Sequence, residues 1–196
     1  MEAGVAIAER PSAERATGVG GDVRAVRKAR GLTLQALADQ VGRSVGWLSQ
    51  VERGVTEPTI ADLRRLAEAL GQPMSLFFGA PEAPVAERGH VVRAGAGRAL
   101  GTGDGLAELL MSPDLGGAFE MVRSVFAPGA QLSEVAQRPT EEAGYIVSGR
   151  LDLTIGPRTF RLNPGDAFRF EGEPYRWANP GPDPCVAIWV IAPPVY

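Results

Sequence analysis

The spacing of apolar residues changes once along this chain, near residue 80, and this change limits the folds that it can adopt. The first part repeats apolar residues at i, i+3, i+4 and i+7, as in Leu34, Leu37, Ala38 and Val41. The second part has short apolar runs separated by Pro-Gly, Ser-Gly and Gly-Pro turns. At 196 residues the chain is long enough for two small domains. The sequence therefore predicts a multidomain α plus all-β protein, with the helices first.

The boundaries of these domains follow from local composition. Residues 1–19 show no periodicity, so we expect a flexible tail there. The sequence Gly-Ala-Pro-Glu-Ala-Pro at 79–84 is typical of a linker, since prolines and small side chains offer little to pack. We therefore assign residues 20–79 to a helical domain, 80–88 to a linker and 89–196 to a β-domain.

The helical domain is predicted to contain five helices, of which the last is a short one at 74–78. Thr33 and Ser44 suit the N-cap positions of the second and third helices. Leu48 and Val51 share one face of the third helix, and Gly54 can end that helix in a left-handed turn. The other face of the third helix is left free to contact a partner.

The second and third helices are joined by the short turn Gly42-Arg-Ser44, which is the helix-turn-helix arrangement. Residues 23–78 resemble the XRE family of helix-turn-helix regulators in three stretches: Arg27-Lys-Ala-Arg-Gly-Leu-Thr-Leu34, Trp47-Leu-Ser-Gln-Val-Glu-Arg-Gly54 and Leu66-Ala-Glu-Ala-Leu70. The resemblance implies that the partner is a double-stranded DNA operator. It also implies an internal ion pair between Arg27 and Glu52 that braces the first helix against the third.

A helix that reads DNA needs side chains that reach base edges in the major groove. We predict that five residues read bases: Ser44, Val45, Gly46, Ser49 and Gln50. Gln50 offers a donor and an acceptor to an adenine edge, and Val45 can contact a thymine methyl group. We predict that four basic residues bind phosphates: Arg24, Lys28, Arg43 and Arg53. These contacts would position the helix without reading the sequence.

The distribution of charge supports DNA binding by the first domain only. The whole chain has a net charge of −3, which alone disfavours a polyanionic partner. Residues 20–80, however, carry eight Arg or Lys against six Asp or Glu, and four of the eight lie within residues 24–30.

Neither a membrane partner nor a disulfide is expected. The chain has no apolar run of the length that a membrane span needs, and its amino-terminal stretch lacks a signal-type apolar core. Cys185 is the only cysteine, so no intramolecular disulfide can form. We expect a cytoplasmic protein.

The β-domain is predicted to contain at least seven short strands, near residues 90–93, 106–111, 119–126, 145–147, 151–155, 167–170 and 186–191. Tyr145-Ile-Val-Ser-Gly149, followed by Pro164-Gly-Asp166, resembles the cupin family. Cupins are small jelly-roll β-barrels. The whole chain thus resembles regulators with an amino-terminal XRE-type bundle and a carboxy-terminal cupin sensor domain.

The resemblance to cupins does not extend to their metal site. Metal-binding cupins carry a His-x-His pair four residues ahead of a Glu, and a further His after the Pro-Gly-Asp turn. Those positions hold Ala136, Arg138 and Tyr175 here, and only Glu142 matches. Because Ala and Arg cannot ligate a divalent ion, we expect neither metal nor cofactor. His90 is the sole histidine and lies far from these positions in sequence.

The former metal position can instead hold an organic ligand. We predict that a small-molecule effector contacts Arg138, Glu142, Tyr175 and Trp177. Two interpretations of Arg138 stay open: it binds an anionic group of a ligand, or it only neutralises Glu142 as an internal ion pair.

The pairing of the two domains predicts a sequence-specific DNA-binding transcriptional regulator without catalytic residues. In the commoner mode of the family it would be a repressor that binds an effector and forms a homodimer. Two alternatives stay open: a metal-dependent cupin enzyme with a DNA-binding head, and a cupin that serves only for dimerisation. The missing histidines disfavour the enzyme.

Overall fold

The described part of the helical domain contains four α-helices. The computed structural model describes residues 18–72, 74–77 and 84–195. The helices are α1 (Val19–Ala29), α2 (Leu34–Val41), α3 (Val45–Glu52) and α4 (Ile60–Ala69). The predicted fifth α-helix is replaced by a 3-10 helix at Met74–Leu76, closed by a hydrogen bond from the Phe77 amide to the Met74 carbonyl at 3.1 Å. Three residues are too few for the bonds of an α-helix, so the prediction of five α-helices is corrected to four.

The predicted caps are confirmed. The Thr33 hydroxyl accepts a hydrogen bond from the Ala36 amide at 3.0 Å, and the Ser44 hydroxyl accepts one from the Trp47 amide at 3.1 Å. Gly54, with φ of 70°, follows α3 in the left-handed conformation. Local sequence therefore sets the ends of α2 and α3.

A single apolar core joins the four helices. Its fully buried side chains include Val23, Val26, Leu37, Leu48, Val51 and Leu66. Helix α3 packs against both α1 and α2, so one of its faces is buried while the opposite face stays exposed. This packing fixes the orientation of α3 relative to the rest of the domain.

The contact between α1 and α3 depends on Gly20. A Cβ atom at this position would lie 1.9 Å from the Val51 carbonyl oxygen, which belongs to the backbone of α3. We expect Gly20→Ala to force the two helices apart and to destabilise the protein by about 1 to 3 kcal/mol, as overpacking does. Urea denaturation would measure this loss.

The matched control for that substitution is Gly46→Ala. Gly46 lies in α3, and a Cβ atom there would meet nothing within 4 Å. Because Ala favours helix over Gly by about 1 kcal/mol, Gly46→Ala should leave stability unchanged or raise it. Equal stability of the two variants would contradict a tight contact at Gly20.

Nine strands form the described part of the β-domain. They are β1 (Arg98–Gly103), β2 (Leu106–Leu110), β3 (Glu120–Phe126), β4 (Glu141–Ser148), β5 (Leu151–Ile155), β6 (Arg158–Leu162), β7 (Ala167–Glu171), β8 (Tyr175–Ala178) and β9 (Cys185–Ala192). One antiparallel sheet has the order β1-β2-β3-β9-β4-β7, and a smaller one has the order β6-β5-β8. The segment before β4 also pairs with β8 through Gln131 and Ala136.

Aromatic side chains from the two sheets meet between them. The Phe126 ring of β3 lies 4.7 Å from the Trp177 ring of β8, and the Phe170 ring of β7 lies 4.9 Å from the Tyr175 ring. Strand β9 alternates buried and half-buried residues along its length, so one of its faces points into this layer. The arrangement is a cupin-like pair of facing sheets.

Strand predictions hold where apolar residues alternate and fail elsewhere. Strands β1, β6 and β8 were not predicted, because Gly or Arg interrupts their short apolar patterns. The predicted strand at 90–93 is wrong. This segment turns back on a 3-10 helix, Val85–Glu87, where the Arg93 guanidinium and the Val91 amide both bond to Glu87.

Helix α1 begins at Val19, the last residue of the segment predicted as a tail. Residues 1–17 and 80–83, to which we assigned most of the tail and part of the linker, lie outside the described residues. None of the described helices has the length and apolar character that crossing a membrane requires.

A buried ion pair connects the two domains. The Arg98 guanidinium of β1 donates to the Asp22 carboxylate of α1 at 2.6 Å and to the Leu76 carbonyl at 3.2 Å. Both side chains are almost fully buried. Burial raises the pKa of Asp22, although the Arg98 charge acts to lower it. Strand β1 therefore carries a direct polar contact to the first helix.

Candidate functional site

The predicted base-reading residues lie at the N-cap of α3 or along α3: Ser44, Val45, Gly46, Ser49 and Gln50. Gly46 and Gln50 are exposed, while Val45 and Ser49 are half-buried. The Gln50 side-chain oxygen accepts a hydrogen bond from the Thr56 hydroxyl at 3.2 Å, and its amide nitrogen has no partner among the described residues. Within α3 itself, Gly46 and Gln50 are therefore the exposed members of this set, and Ser44 at the N-cap is exposed as well.

Ser44 has a structural role that limits what else it can do. Its hydroxyl oxygen caps α3 by accepting from the Trp47 amide, although the hydroxyl hydrogen remains a donor. Val45 packs partly against the core of the domain. Base reading by Ser44 and Val45 stays a prediction.

Arg24 and Lys28, two of the residues predicted to bind phosphates, are exposed on α1. Neither makes a hydrogen bond or ion pair to any residue that the structure describes. Arg53 differs, because its Nε donates a hydrogen bond to the Ser49 carbonyl of α3 at 3.2 Å. Its side chain therefore lies along its own helix. Within the described part of the chain, no residue competes with an external anion for the donors of Arg24 and Lys28.

The fourth predicted phosphate ligand, Arg43, is engaged inside the protein. Its Nε and Nη2 donate to the buried Asp62 carboxylate at 3.0 and 2.7 Å, and its guanidinium lies 5.0 Å from the centre of the Trp47 ring. Burial acts to raise the pKa of Asp62, but hydrogen bonds from Thr59 and Arg43 outweigh it and lower the pKa. Since Arg43 is still 41% exposed, its remaining donors can reach a phosphate.

The predicted ion pair between Arg27 and Glu52 is confirmed. Arg27 Nε and Nη2 donate to the two Glu52 carboxylate oxygens at 2.6 and 2.9 Å, and Nη1 donates to the Leu32 carbonyl at 2.8 Å. The hydrogen bond to Glu52 raises the pKa of Arg27. Glu52 is therefore buried on the inner face of α3, where it braces the helix against α1.

All four predicted effector residues line one cavity of about 250 Å³ between the two sheets: Arg138, Glu142, Tyr175 and Trp177. Ala136 also lies in its wall, paired with Tyr175 through two backbone hydrogen bonds of 2.8 and 3.0 Å. The structure thus brings the residues that replace the cupin metal ligands together at one place.

Glu142 is buried and satisfied by neutral donors. Its carboxylate accepts from the Thr140 hydroxyl at 3.0 Å and from the Trp189 indole nitrogen at 2.8 Å, and it is also hydrogen bonded to Tyr175. Burial, with the Glu142 charge beside it, raises the pKa of Tyr175 to about 12, so this phenol stays protonated and donates. Glu142 orients two aromatic rings of the cavity.

The proposed internal ion pair between Arg138 and Glu142 is not formed. Arg138 is exposed, and it makes no hydrogen bond or ion pair with the described residues. Glu142 is buried beside the aromatic rings, and its carboxylate oxygens already accept hydrogen bonds there. The guanidinium therefore remains available at the cavity wall.

Two carboxylates in the same wall were missed from the sequence: Glu108 of β2 and Glu120 of β3. Burial raises the pKa of Glu108, and it raises the pKa of Glu120 to about 7. The alternation of buried residues along β3 was the available signal, because Glu120 shares an inward face with Val122 and Ser124. The cavity is accordingly rich in acidic groups.

The residues present do not fit the metal that the cupin family often holds. Ala136 and Arg138 offer no ligand, and within the described part of the chain no group of three or more His, Cys, Asp or Glu side chains could hold a metal ion. His90 is exposed and does not line the cavity.

Comparison with known proteins identifies both domains. Family models for a helix-turn-helix domain and a cupin domain match residues 19–76 and 122–191. The HTH-type transcriptional regulator PuuR of Escherichia coli is 24% identical over 87% of this chain and 92% of its own length. The transcriptional regulator ClgR of Mycobacterium tuberculosis is 34% identical over 48% of this chain and 87% of its own. The alignment with a crystal structure of an HTH_3 family transcriptional regulator from Vibrio cholerae covers 92% of this chain and 98% of that chain. The sequence identity is 22% and the TM-score is 0.43.

The chain has a DNA-binding fold with an exposed face on α3, followed by a cupin-like pair of sheets. A known transcriptional regulator matches the chain over both parts. The chain belongs to the helix-turn-helix transcriptional regulators that carry a cupin domain.

Proposed function

We propose that this regulator binds a specific DNA sequence through α3 and that a small molecule in the cupin cavity controls the binding. The observation that carries the proposal is the placement of α3. Its inner face is held by the buried Arg27–Glu52 pair, and its outer face presents Gly46 and Gln50. The proposed DNA-binding domain spans residues 20–79 and the proposed cupin domain residues 89–196. No enzymatic activity is proposed, and DNA regulation implies a cytoplasmic location.

Gln50 is the strongest candidate for reading a base, because its amide is exposed and can pair with an adenine edge. We expect Gln50→Ala to cost about 1 to 3 kcal/mol of binding at one base position and to relax specificity there. Quantitative gel shifts at fixed salt, with an operator selected from random DNA and its single-base variants, would measure this.

Lys28→Ala is the control for that measurement. Lys28 is exposed on α1 and has no partner among the described residues, so we expect it to contact phosphate only. Its loss should weaken binding to all sequences alike and reduce the salt slope by about 1. Equal losses on every sequence for Gln50→Ala would rule it out as the reader. Operator binding no tighter than binding to random DNA would overturn the proposed function.

We infer that the active form is a homodimer and that it represses transcription. Helix-turn-helix dimers place two recognition helices about 34 to 36 Å apart, which is one turn of DNA. Footprinting should then show two protected half-sites about 10 base pairs apart, centre to centre. A single protected half-site would contradict the dimer.

Two contacts support control of α3 from the cavity. Gln72, which follows α4, lines the cavity together with β-domain residues. Leu100 of β1 also lines it, two residues from Arg98, which is bonded to Asp22 of α1. A ligand that displaces β1 would therefore act on α1, and α1 packs on α3. To shift the equilibrium between two arrangements of the domains, the ligand needs only to bind one arrangement more tightly than the other.

A further inference from the structure

We propose that the cupin cavity binds a small aminocarboxylate, with the ligand's ammonium group on Glu120 and its carboxylate on Arg138. This inference rests on the proposed function of the cavity as the effector site and names the chemistry of that effector. Three features carry it: a buried acid without a full set of partners, a guanidinium with no partner among the described residues, and the size of the cavity.

Glu120 supplies the first feature. Its side chain is 3% exposed and lines the cavity, and one oxygen, Oε1, accepts a hydrogen bond of 3.3 Å from the Val195 amide. No described residue donates to its second oxygen. A buried carboxylate oxygen without a donor is costly, and a charged donor from a ligand would stabilise it.

Glu108 places a second acid in the same cavity, where it lies opposite Ser124, four residues along β3 from Glu120. Its Oε1 accepts a hydrogen bond from the Ser124 hydroxyl at 3.0 Å. Burial raises the pKa of Glu120 to about 7, and the Glu108 charge acts in the same direction. The negative charge of Glu108 therefore favours a cation in the cavity, while Glu120 is the acid with an oxygen to which no described residue donates.

Glu142 does not belong to this ammonium site. Its carboxylate is already occupied by Thr140, Trp189 and Tyr175. Its contribution is to orient the Trp189 and Tyr175 rings, which line the cavity. The group that binds the ammonium is therefore Glu120.

Arg138 supplies the opposite charge. It lines the cavity from an exposed position, and its positive charge acts to lower the pKa of Glu108 and of Glu120. With no partner among the described residues, its planar guanidinium can bind a carboxylate through two parallel hydrogen bonds. A ligand that carries both an ammonium and a carboxylate group thus matches the charges that line the cavity.

The size of the cavity limits the length of the ligand. Its volume of about 250 Å³ lies just below the roughly 300 to 1,000 Å³ of pockets for drug-sized ligands. At roughly 30 Å³ per water molecule, it holds about eight water-sized groups. Phe126, Trp177 and Val122 give it apolar surface between the charged groups. A short methylene chain fits this description.

The test compares ligands of matched length on the full-length protein. Isothermal titration calorimetry would use glycine, β-alanine, γ-aminobutyrate and 5-aminopentanoate, together with butylamine, butyrate and 1,4-diaminobutane. We expect at least one aminocarboxylate to bind about tenfold or more tightly than the monoamine or the carboxylate of equal length, because each of those loses one charged partner. Affinity should rise from pH 5 to pH 8 as Glu120 ionises.

Two variants separate the ends of the ligand. Arg138→Gln should remove the advantage of the aminocarboxylate over the monoamine, and Glu120→Gln should weaken every amine about tenfold or more. The controls are Arg123→Gln and Glu171→Gln, which change charged residues outside the cavity and should leave binding unchanged.

The outcomes are distinguishable. Tightest binding by the diamine would overturn the role of Arg138, and tightest binding by butyrate would overturn the ammonium site. If the protein binds its operator but no compound in the panel binds, the aminocarboxylate proposal fails while the DNA-binding function stands. If operator binding itself fails, the proposed function is at fault.

Discussion

Replacing Glu52 by Ala is expected to lower the free energy of unfolding by about 3 to 5 kcal/mol, the largest effect of any substitution considered for this protein. Glu52 is 5% and Arg27 11% exposed, and the two side chains share a bidentate hydrogen bond. Removal of the carboxylate would leave a buried guanidinium without its counter-charge. The position of α3 would suffer too, so operator binding should fall with stability. Urea denaturation at pH 7 would measure the loss.

A surface ion pair and a double substitution control that experiment. The Arg169–Glu141 pair is more exposed, so Glu141→Ala should cost no more than about 1 kcal/mol. Replacing both buried partners, as in Arg27→Met with Glu52→Leu, should restore much of the stability, because apolar pairs of similar volume often replace buried ion pairs without loss. A loss below about 1 kcal/mol for Glu52→Ala would show that the pair does not brace the helix.

The second large effect concerns pH and Glu120. Burial raises the pKa of this group from 4.5 to about 7 in the folded protein. Between these values the folded state binds more protons than the unfolded state, so stability falls as pH rises. A shift of this size corresponds to about 3 kcal/mol, present below pH 4.5 and lost by about pH 8. Chemical denaturation from pH 5 to pH 8 would follow this loss.

Glu120→Gln should remove most of that pH dependence. The amide oxygen can still accept from Val195, while no charge forms at high pH. We expect the variant to be more stable than the wild type at pH 8 and similar to it at pH 5. Glu108 also has a raised pKa, so a smaller slope should remain. Unchanged pH dependence in the variant would contradict the ionisation of a buried Glu120.

Glu120 affects stability in a different pH range from the acids whose charged forms stabilise the protein. Hydrogen bonds lower the pKa of Asp62 and Asp152, so their contributions are lost only as pH falls through those lowered values. They therefore act at more acidic pH than Glu120 does.

Much of the helical domain could be predicted because its signals are local. The apolar period of α2 to α4, the caps Thr33 and Ser44 and the turn at Gly54 all act within a few residues. The short 3-10 helix after α4 was the exception, because three residues give no periodic pattern to interpret. Strands whose pattern is broken by Gly or Arg, such as β1 and β8, were missed for the same reason.

The sequence by itself determined the order of the two domains, the outward face of α3 and the loss of the cupin metal ligands. These follow from residue type and spacing alone. Only the tertiary structure decided that Arg138 and Glu142 stay apart, that Arg43 is bonded to Asp62, and that Glu108 and Glu120 line the same cavity. The physical reason is that charge pairing and burial depend on strands distant in sequence, whose register and neighbours a local pattern does not specify.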